Sequence, residues 1–405
     1  MEQQQSQPQP HTTTAEPAMP ASGVLVVDKP QGVTSHDVVA AARGAVHTRK
    51  VGHAGTLDPM ATGVLVVGFG DATRLLNIIV DHDKTYEATI RLGQATDTDD
   101  ADGTPVDPAA VAASLRIDAG AADPTFRDDW MRIVGGRESG GDTPADGIGA
   151  GDADVSTALR ARIERVIGER LTGRIEQVPN AFSAIKIDGR RAYDLAREGK
   201  DVTLAARPVT IGEFAVLGMR LGRTEADAAG GPLLDSASAA DAVLIPVIDL
   251  DVRVTCSAGT YIRALARDLG AMLGVGGHLT RLRRTRVGRF AVDAPNVVTA
   301  RAESKTFVNR DGETVTRNRA VIDRGETLAA AILPMDAAVR TAMPVVEIDA
   351  AAAVDLRFGR RIAADVHGPT AAIVPAHDGT PADVVAIVER ARRGEAKPVA
   401  VFAAH

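Results

Sequence analysis

A short glycine-rich loop, GHAGTLDP at residues 52–59, holds a single carboxylate, Asp58. The glycines permit backbone angles that other residues avoid, and Pro59 disfavours helix at Asp58. The apolar run at residues 61–69 predicts a buried strand that leaves the loop. Asp-Pro pairs usually form ordinary turns, so the loop alone leaves a structural turn and a reactive carboxylate as alternatives.

The charge of the chain is unevenly distributed. The 405 residues carry a net charge of −7, but residues 97–158 hold 14 acidic residues and 4 arginines, so the remainder is +3. Local basic surfaces determine nucleic-acid affinity because neutralised phosphates release counterions. Such a surface, or merely a solvated face, is predicted at Arg281, Arg283, Arg284, Arg286 and Arg289.

The sequence lacks the motifs of metal sites, of nucleotide-binding phosphate loops and of serine hydrolases. Cys256 is the only cysteine, the histidines lack HExxH spacing, and there is no GKS/T phosphate loop or GxSxG sequence. No apolar run is long enough to cross a membrane, and residues 1–22 predict a disordered tail without signal-peptide layout. We therefore expect a cytoplasmic protein that uses an acid, without metal or cofactor.

The pattern of elements predicts an α+β fold with a mixed or antiparallel sheet. Apolar or alternating runs predict strands at residues 23–27, 61–69, 84–92 and 244–256. The sequence TSHD at 34–37 has capping-box spacing and predicts a helix to about residue 46. Further helices are predicted at residues 72–80, 159–171 and 261–273.

The predicted organisation is a catalytic domain at residues 23–300, a linker at 301–340 and a small β-rich module at 341–405. An acidic, largely flexible loop insertion is expected at about residues 101–157, and a smaller one at 221–242. Residues 301–325 are polar and predict irregular structure. In the module, strands are predicted at residues 344–348, 362–366 and 371–374.

Five blocks, in this order, resemble the TruB-type tRNA pseudouridine synthases of bacteria. They are DKPQGVTS (28–35), KVGHAGTLDP (50–59), DKTY (83–86) with RLG (91–93), QVPNAFSAIK (177–186), and CSAGTYIR (256–263) followed by LRR (282–284). The resemblance implies the pseudouridine synthase fold, with a C-terminal module similar in placement to PUA-like domains. It also implies an enzyme that isomerises uridine 55 in the T-loop of tRNA.

The resemblance also implies roles for individual residues. Asp58 matches the essential aspartate, Arg263 the arginine that pairs with it, and Tyr86 the tyrosine against the base. Leu282 matches an apolar residue of the base pocket, and His53 a residue that helps to displace the base. The candidates for gripping RNA phosphates are Lys29, Lys186 and the arginine cluster, including Arg283 and Arg284.

The expected partner is therefore the T-arm of tRNA, bound by a monomer after the target nucleotide is flipped out. The acidic insertion is expected to project away from the RNA. Two alternatives stay open: a tRNA-binding folding chaperone, and a pseudouridine synthase that acts on another RNA, such as the catalytic subunit of a guide-RNA particle.

Overall fold

The computed structural model describes most of the chain. The described residues are 19–120, 122–135, 150–183, 185–187, 189–198, 200, 202, 204–234, 243–309 and 312–404. Their strands are β1 (Gly23–Lys29), β2 (Val51–His53), β3 (Thr62–Phe69), β4 (Lys84–Leu92), β5 (Ala95–Thr96), β6 (Pro105–Val106), β7 (Gly173–Gln177), β8 (Lys186–Ile187), β9 (Arg190–Arg191), β10 (Arg207–Glu225), β11 (Leu244–Cys256), β12 (Gly277–Val287), β13 (Phe290–Ala291), β14 (Val297–Thr299), β15 (Arg301–Val308), β16 (Thr314–Val321), β17 (Val345–Glu347), β18 (Ile362–Ala363), β19 (Thr370–Val374), β20 (Asp383–Arg392) and β21 (Glu395–Val401).

Helices cover the faces of the sheets and connect their strands. They are α1 (Ser35–Ala45), α2 (Leu76–Ile79), α3 (Pro108–Ser114), α4 (Phe126–Gly135), α5 (Ala150–Arg170), α6 (Ala192–Arg197), α7 (Ile262–Met272), α8 (Glu326–Ala331), α9 (Met335–Ala342) and α10 (Ala350–Arg357), with a 3₁₀ helix at Gly70–Leu75. None of the described helices is long and apolar enough to cross a membrane.

A ten-stranded mixed sheet forms the centre of the protein. Its order is β14-β1-β3-β12-β4-β11-β10-β7, with β2 beside β3 and β13 beside β12. The β1–β14 and β3–β12 pairs are parallel, and the other pairs are antiparallel. The predicted α+β class with a mixed sheet is therefore confirmed.

The best-predicted elements have strong local signals. The alternating run at residues 84–92 is strand β4, and residues 244–256 form β11. Thr34 caps α1, and its side chain and that of Asp37 make the reciprocal capping-box bonds. The apolar face of α7 is buried against the sheet, as its spacing predicts.

Three predictions about irregular segments are wrong. The acidic insertion contains α3, α4 and the start of α5, with Phe126 and Trp130 buried in the main core. Strand β10 continues to Glu225, so the second insertion begins later than predicted. The predicted linker contains the β15–β16 hairpin and helices α8 and α9. The acidic insertion and residues 301–325 contain few apolar residues, so the apolar periodicity that predicts a helix or strand is weak there.

The C-terminal module is a five-stranded sheet in the order β17-β19-β20-β21-β18. The sequence prediction missed β20 and β21. Helix α9 packs between this sheet and the central one, and Val339 shares a hydrophobic cluster with Val64 and Ile387. Residues 1–18 of the predicted tail lie outside the described residues. The tail prediction extends too far, because Met19 packs against the core and Ser22 Oγ accepts a hydrogen bond from the Asp71 amide.

Strands β3 and β12 come into close contact at Gly63, which has a φ of 101°. A Cβ there would lie 2.9 Å from the carbonyl carbon of Arg284 and closer still to its oxygen. We expect Gly63→Ala to lower the free energy of unfolding by about 3 kcal/mol or more, from backbone strain plus overpacking. Gly173 is the matched control, because its φ is 82° but a Cβ at that position would have no atom within 4 Å.

Urea denaturation of both variants measures the difference. Gly173→Ala carries the backbone strain alone, and we expect it to lose about 1–2 kcal/mol. Equal losses for the two variants would contradict a tight β3–β12 contact at Gly63.

Candidate active site

Six segments converge on one pocket of about 260 Å³. They are the loop after β2, the end of α2, the start of β4, the loop after β7, the N-terminus of α7 and the middle of β12. The volume is just below the range of about 300–1,000 Å³ that is usual for small-molecule sites, so the pocket suits one nucleobase better than a large ligand. Its lining includes Gly55, Thr56, Leu57, Asp58, Val80, Lys84, Tyr86, Ser183, Gly259, Thr260, Tyr261, Ile262, Arg263, Leu282 and Arg284.

The loop that carries Asp58 is held by the turn before α1 and by the first residue of that helix. Ser35 Oγ accepts a bond from the Leu57 amide (2.8 Å) and donates one to the Leu57 carbonyl (3.1 Å). The Gly32 amide donates to the Pro59 carbonyl at 2.8 Å. The DKPQGVTS and KVGHAGTLDP blocks therefore form one structural unit, and the first fixes the backbone on both sides of Asp58.

Arg263 lies in the first turn of α7 and faces Asp58. Its Nε lies 2.9 Å from Asp58 Oδ2, while its two terminal nitrogens donate to the backbone carbonyls of Thr98 (2.8 Å) and Phe182 (3.1 Å). Burial alone would lower the pKa of Arg263, but the carboxylates of Asp58, Asp100 and Asp99 raise it, so the guanidinium stays charged.

The start of α7 is fixed by a side chain from another block. Gln177 at the end of β7 accepts a bond from the Tyr261 amide (2.8 Å) and donates one to the Tyr261 carbonyl (3.0 Å). These two bonds set the position of the backbone from which Arg263 extends.

A second buried arginine supports the first. Arg267 Nη1 lies 3.1 Å from Asp99 Oδ2, and its Nη2 donates to the Val178 carbonyl at 2.7 Å. Burial raises the pKa of Asp99 to about 6, although Arg267 opposes this shift. The arginines and acids thus form a connected layer beneath Asp58.

Tyr86 and Leu282 form an apolar part of the pocket wall on the adjacent strands β4 and β12, and both are buried. Burial raises the pKa of Tyr86, with Arg284 opposing the shift, so the phenol keeps its proton at neutral pH. Arg284 is 1% exposed, and its guanidinium donates to the carbonyls of Val64 (2.8 Å) and Gly55 (3.0 Å).

Asp58, Tyr86, Arg263, Leu282 and Arg284 thus come together at the pocket. His53, Lys29 and Arg283 do not line it. His53 ends β2, and its ring lies 5.7 Å from that of His36. Burial and, to a lesser degree, His36 lower the pKa of His53 to about 4, so it is uncharged at neutral pH.

The predicted phosphate contact of Lys29 is wrong. Its side chain is fully buried and donates to the carbonyls of Pro30 (2.9 Å), Val33 (2.7 Å) and Pro59 (3.3 Å). Arg284 is likewise too buried to grip a surface phosphate and instead joins the Asp58 loop to β3. Partners distant in sequence cause this burial, and the sequence does not reveal them.

Arg283 is partly exposed and makes a two-point ion pair with Asp28, at 3.0 and 2.7 Å. The side chain of Lys186, in β8, lies outside the described residues.

The pocket residues that were not predicted include Lys84, Ser183 and Tyr261. Each lies in one of the quoted blocks, and Lys84 precedes Tyr86 by two positions on the same strand, so period-two alternation places both on one face. Burial, with a smaller effect from Arg284, lowers the pKa of Lys84 to about 8. Within the described residues, no group of three or more His, Cys, Asp or Glu side chains is arranged to hold a metal ion.

The sequence of the chain matches three models of protein families. Residues 43–121 and 146–262 match the model described as TruB family pseudouridylate synthase (N terminal domain). Residues 263–340 match the tRNA pseudouridylate synthase B C-terminal domain, and residues 343–403 match tRNA Pseudouridine synthase II, C terminal. The chain belongs to the TruB family of pseudouridylate synthases. The predicted family and enzyme class, an isomerase, are therefore confirmed.

Relatives are similar over almost the whole chain. tRNA pseudouridine synthase B of Bifidobacterium longum (strain NCC 2705) is 52% identical, over 94% of this chain and 98% of the relative. The protein of the same name from Arthrobacter sp. (strain FB24) is 42% identical, over 94% and 97%. That of Thermobifida fusca (strain YX) is also 42% identical, over 95% and 99%.

Solved structures share the fold at low identity. An H/ACA RNP bound to a substrate RNA containing 2′-deoxyuridine has a chain 22% identical, with a TM-score of 0.52 over 94% of this chain and 85% of that one. A chain of a Cbf5-Nop10-Gar1 complex is 23% identical, with the same TM-score over 95% and 84%. At this identity the likeness shows the fold alone.

The fixed geometry of Arg263 predicts a specific effect of a charge-conserving change. A lysine cannot reach Asp58 and both backbone carbonyls from one position. We expect Arg263→Lys to lose about 2–3 kcal/mol of stability and to slow pseudouridine formation by about 10²-fold, because the Asp58 carboxylate is displaced. Urea denaturation and a single-turnover assay measure the two effects.

Arg91→Lys is the matched control. Arg91 is also buried and makes a two-point pair with Asp249, at 2.8 and 2.9 Å, but it does not line the pocket. We expect a similar loss of stability with the rate nearly unchanged. An equal loss of rate in both variants would indicate a general packing effect and contradict the specific role of Arg263.

Proposed function

We propose that this chain isomerises uridine 55 in the T-loop of tRNA to pseudouridine, with Asp58 as the essential carboxylate. tRNA as the substrate is supported by the name of the relatives, tRNA pseudouridine synthase B, which match over almost their whole length. The observation that carries the proposal is a carboxylate held by a buried arginine at a pocket with room for one base.

The reaction is a rearrangement within one nucleoside. The bond between ribose C1′ and N1 of the base breaks, the base rotates, and a bond from C1′ to C5 forms. The proton leaves C5 and N1 ends protonated, so no atom is gained or lost. A carboxylate can serve by attacking the ribose or by abstracting its proton, and both routes require it to be ionised beside the sugar.

The difference in exposure between Asp58 and Arg263 suits this role. The Asp58 side chain is 34% exposed, whereas that of Arg263 is 5% exposed. A ligand in the pocket can therefore reach the Asp58 carboxylate, whereas the guanidinium of Arg263 is shielded from water. Arg263 keeps the Asp58 carboxylate oriented toward the pocket.

The apolar wall suits a flipped base. Tyr86 presents a ring and Leu282 an aliphatic side chain, both buried at the pocket, so a uracil can be packed between them. Because burial keeps the Tyr86 phenol protonated by raising its pKa, its hydroxyl is a poor general base. We therefore assign Tyr86 first to positioning the base, and to proton movement at C5 only as a relay.

Displacement of the target base from the T-loop is assigned to His53. Its ring is uncharged at neutral pH because its pKa is lowered to about 4, so it acts by contact with the RNA and not as a cation. From the arginine cluster, Arg281 and Arg289 are exposed, and Arg283 is partly so. These three are the candidates for phosphate contacts on the T-arm.

The test is a site-mapped assay of pseudouridine on an unmodified tRNA transcript. We expect wild-type protein to modify uridine 55, and Asp58→Asn to be slower by about 10³-fold or more, because a neutral amide cannot replace the carboxylate. Asp81→Asn is the matched control: Asp81 is exposed and follows Val80, which lines the pocket. Its rate should stay at the wild-type level.

Each part of the proposal has its own contradicting result. Modification at full rate by Asp58→Asn would remove Asp58 from the mechanism, and modification of a transcript with cytidine at position 55 would refute the site. If no protein modified tRNA but Asp58→Asn still bound and refolded it, the folding chaperone would replace the enzyme as the assigned function.

A further inference from the structure

The hairpin formed by β15 and β16 has an unusual position and composition. Its eight residue pairs run from Arg301–Val321 to Val308–Thr314. Both strands are largely exposed, and only the end near Ala320 joins a hydrophobic cluster. An isolated two-stranded hairpin is marginally stable in water, so this one gains little from its own burial. We call it the β15–β16 ribbon.

The pairing register separates the ribbon into two faces. One face is neutral; it carries Ala302, Ser304, Thr306, Val308, Thr314, Thr316, Asn318 and Ala320. The opposite face carries the charges and one aromatic ring; its residues are Arg301, Glu303, Lys305, Phe307, Val315, Arg317, Arg319 and Val321. We call the second one the charged face.

Two cations on the charged face oppose each other. Lys305 pairs with Arg317 across the ladder, and like charges directly opposite destabilise a hairpin. Arg301 is paired with Asp323, and Arg319 with Glu303. Among the described residues, neither Lys305 nor Arg317 has a carboxylate within ion-pair distance. Arg317 lies instead over the partly exposed ring of Phe307, 6.0 Å from its centroid.

The ribbon is joined to the loop that carries Asp58. Asn318 Nδ2 donates to the Gly32 carbonyl at 3.1 Å, and the Gly32 amide donates to the carbonyl of Pro59. Pro59 directly follows Asp58. This bond holds the neutral face of the ribbon against the segment that supports the Asp58 loop, and leaves the charged face exposed on the opposite side.

We infer that the β15–β16 ribbon is an RNA-binding arm, which contacts substrate RNA outside the pocket through Lys305, Arg317 and Phe307. This inference rests on the proposed function. Phosphates neutralise the two opposed cations and relieve their repulsion. The Phe307 ring, with the Arg317 guanidinium over it, offers a flat surface on which an unpaired base can stack.

Charge complementarity favours RNA over a protein partner. The apolar side chains of the charged face are few, and its one cross-strand apolar pair, Phe307 and Val315, lies next to the two cations Lys305 and Arg317. The centre of a protein interface is instead depleted in charge. Unpaired lysine and arginine beside an aromatic ring are instead the usual composition of a surface that binds single-stranded nucleic acid.

The test is the salt dependence of tRNA binding by the full chain, with and without Lys305→Thr/Arg317→Thr. Threonine suits a strand, and the double change removes a repulsion, so thermal stability should be equal or higher. Loss of two phosphate contacts should reduce the slope of log K against log salt by about 1.5. When salt is raised from about 50 to 200 mM, the affinity of both proteins for tRNA falls. The fold-loss of affinity should be about eight times larger for wild type than for the variant.

Arg132→Thr is the control, because Arg132 is a highly exposed arginine of α4 in the acidic insertion. Its slope should equal that of wild type. In a turnover assay, the ribbon variant should raise KM and leave kcat unchanged. An unchanged slope in the ribbon variant, or an equal change with Arg132→Thr, would overturn the inference.

The two proposals fail separately. Binding is measured without turnover, so the slope tests the ribbon even if no pseudouridine forms. A wild-type protein that modifies tRNA while the ribbon variant binds it with the wild-type slope would refute only the ribbon.

Discussion

The ion pair between Asp58 and Arg263 is the interaction on which the site depends. Neither partner is placed by its own element alone. Asp58 is fixed by bonds from Gly32 and Ser35 to the residues on either side of it. Arg263 is fixed by its bonds to the backbone carbonyls of Thr98 and Phe182. Four of the sequence blocks thus meet at one pair of charges. These blocks, distant from one another in the sequence, therefore act together in one site.

Burying the Arg263 guanidinium has a cost that the fold must offset. A buried charge that loses its partner is strongly destabilising. Here the backbone carbonyls of Thr98 and Phe182 accept from the terminal nitrogens of Arg263. The carbonyl of Val178 and the carboxylate of Asp99 accept from Arg267, so these buried donors have acceptors. Conflicts of this kind between stability and local chemistry are typical of functional sites. The β15–β16 ribbon is a second example, because its opposed cations Lys305 and Arg317 repel each other and so lower the stability of the hairpin.

The sequence predicted those parts of the fold whose signals are local. Alternation located β4, and capping-box spacing located α1. The ribbon was missed because its alternation is between charged and neutral polar residues, not between apolar and polar ones. The helices of the acidic insertion were missed because few apolar residues, among them Phe126 and Trp130, hold them to the core. Five candidate residues do meet at the pocket, but Lys29 was misplaced, since its partners are backbone carbonyls that no residue type reveals.

The most direct test of the central claim is a structure of Asp58→Asn bound to an unmodified tRNA. We expect uridine 55 to be flipped out of the T-loop, with its base between Tyr86 and Leu282 and its ribose C1′ beside residue 58. Arg263 should keep its contacts to the carbonyls of Thr98 and Phe182. A T-loop bound with uridine 55 still stacked inside it, or a different nucleotide in the pocket, would contradict the account.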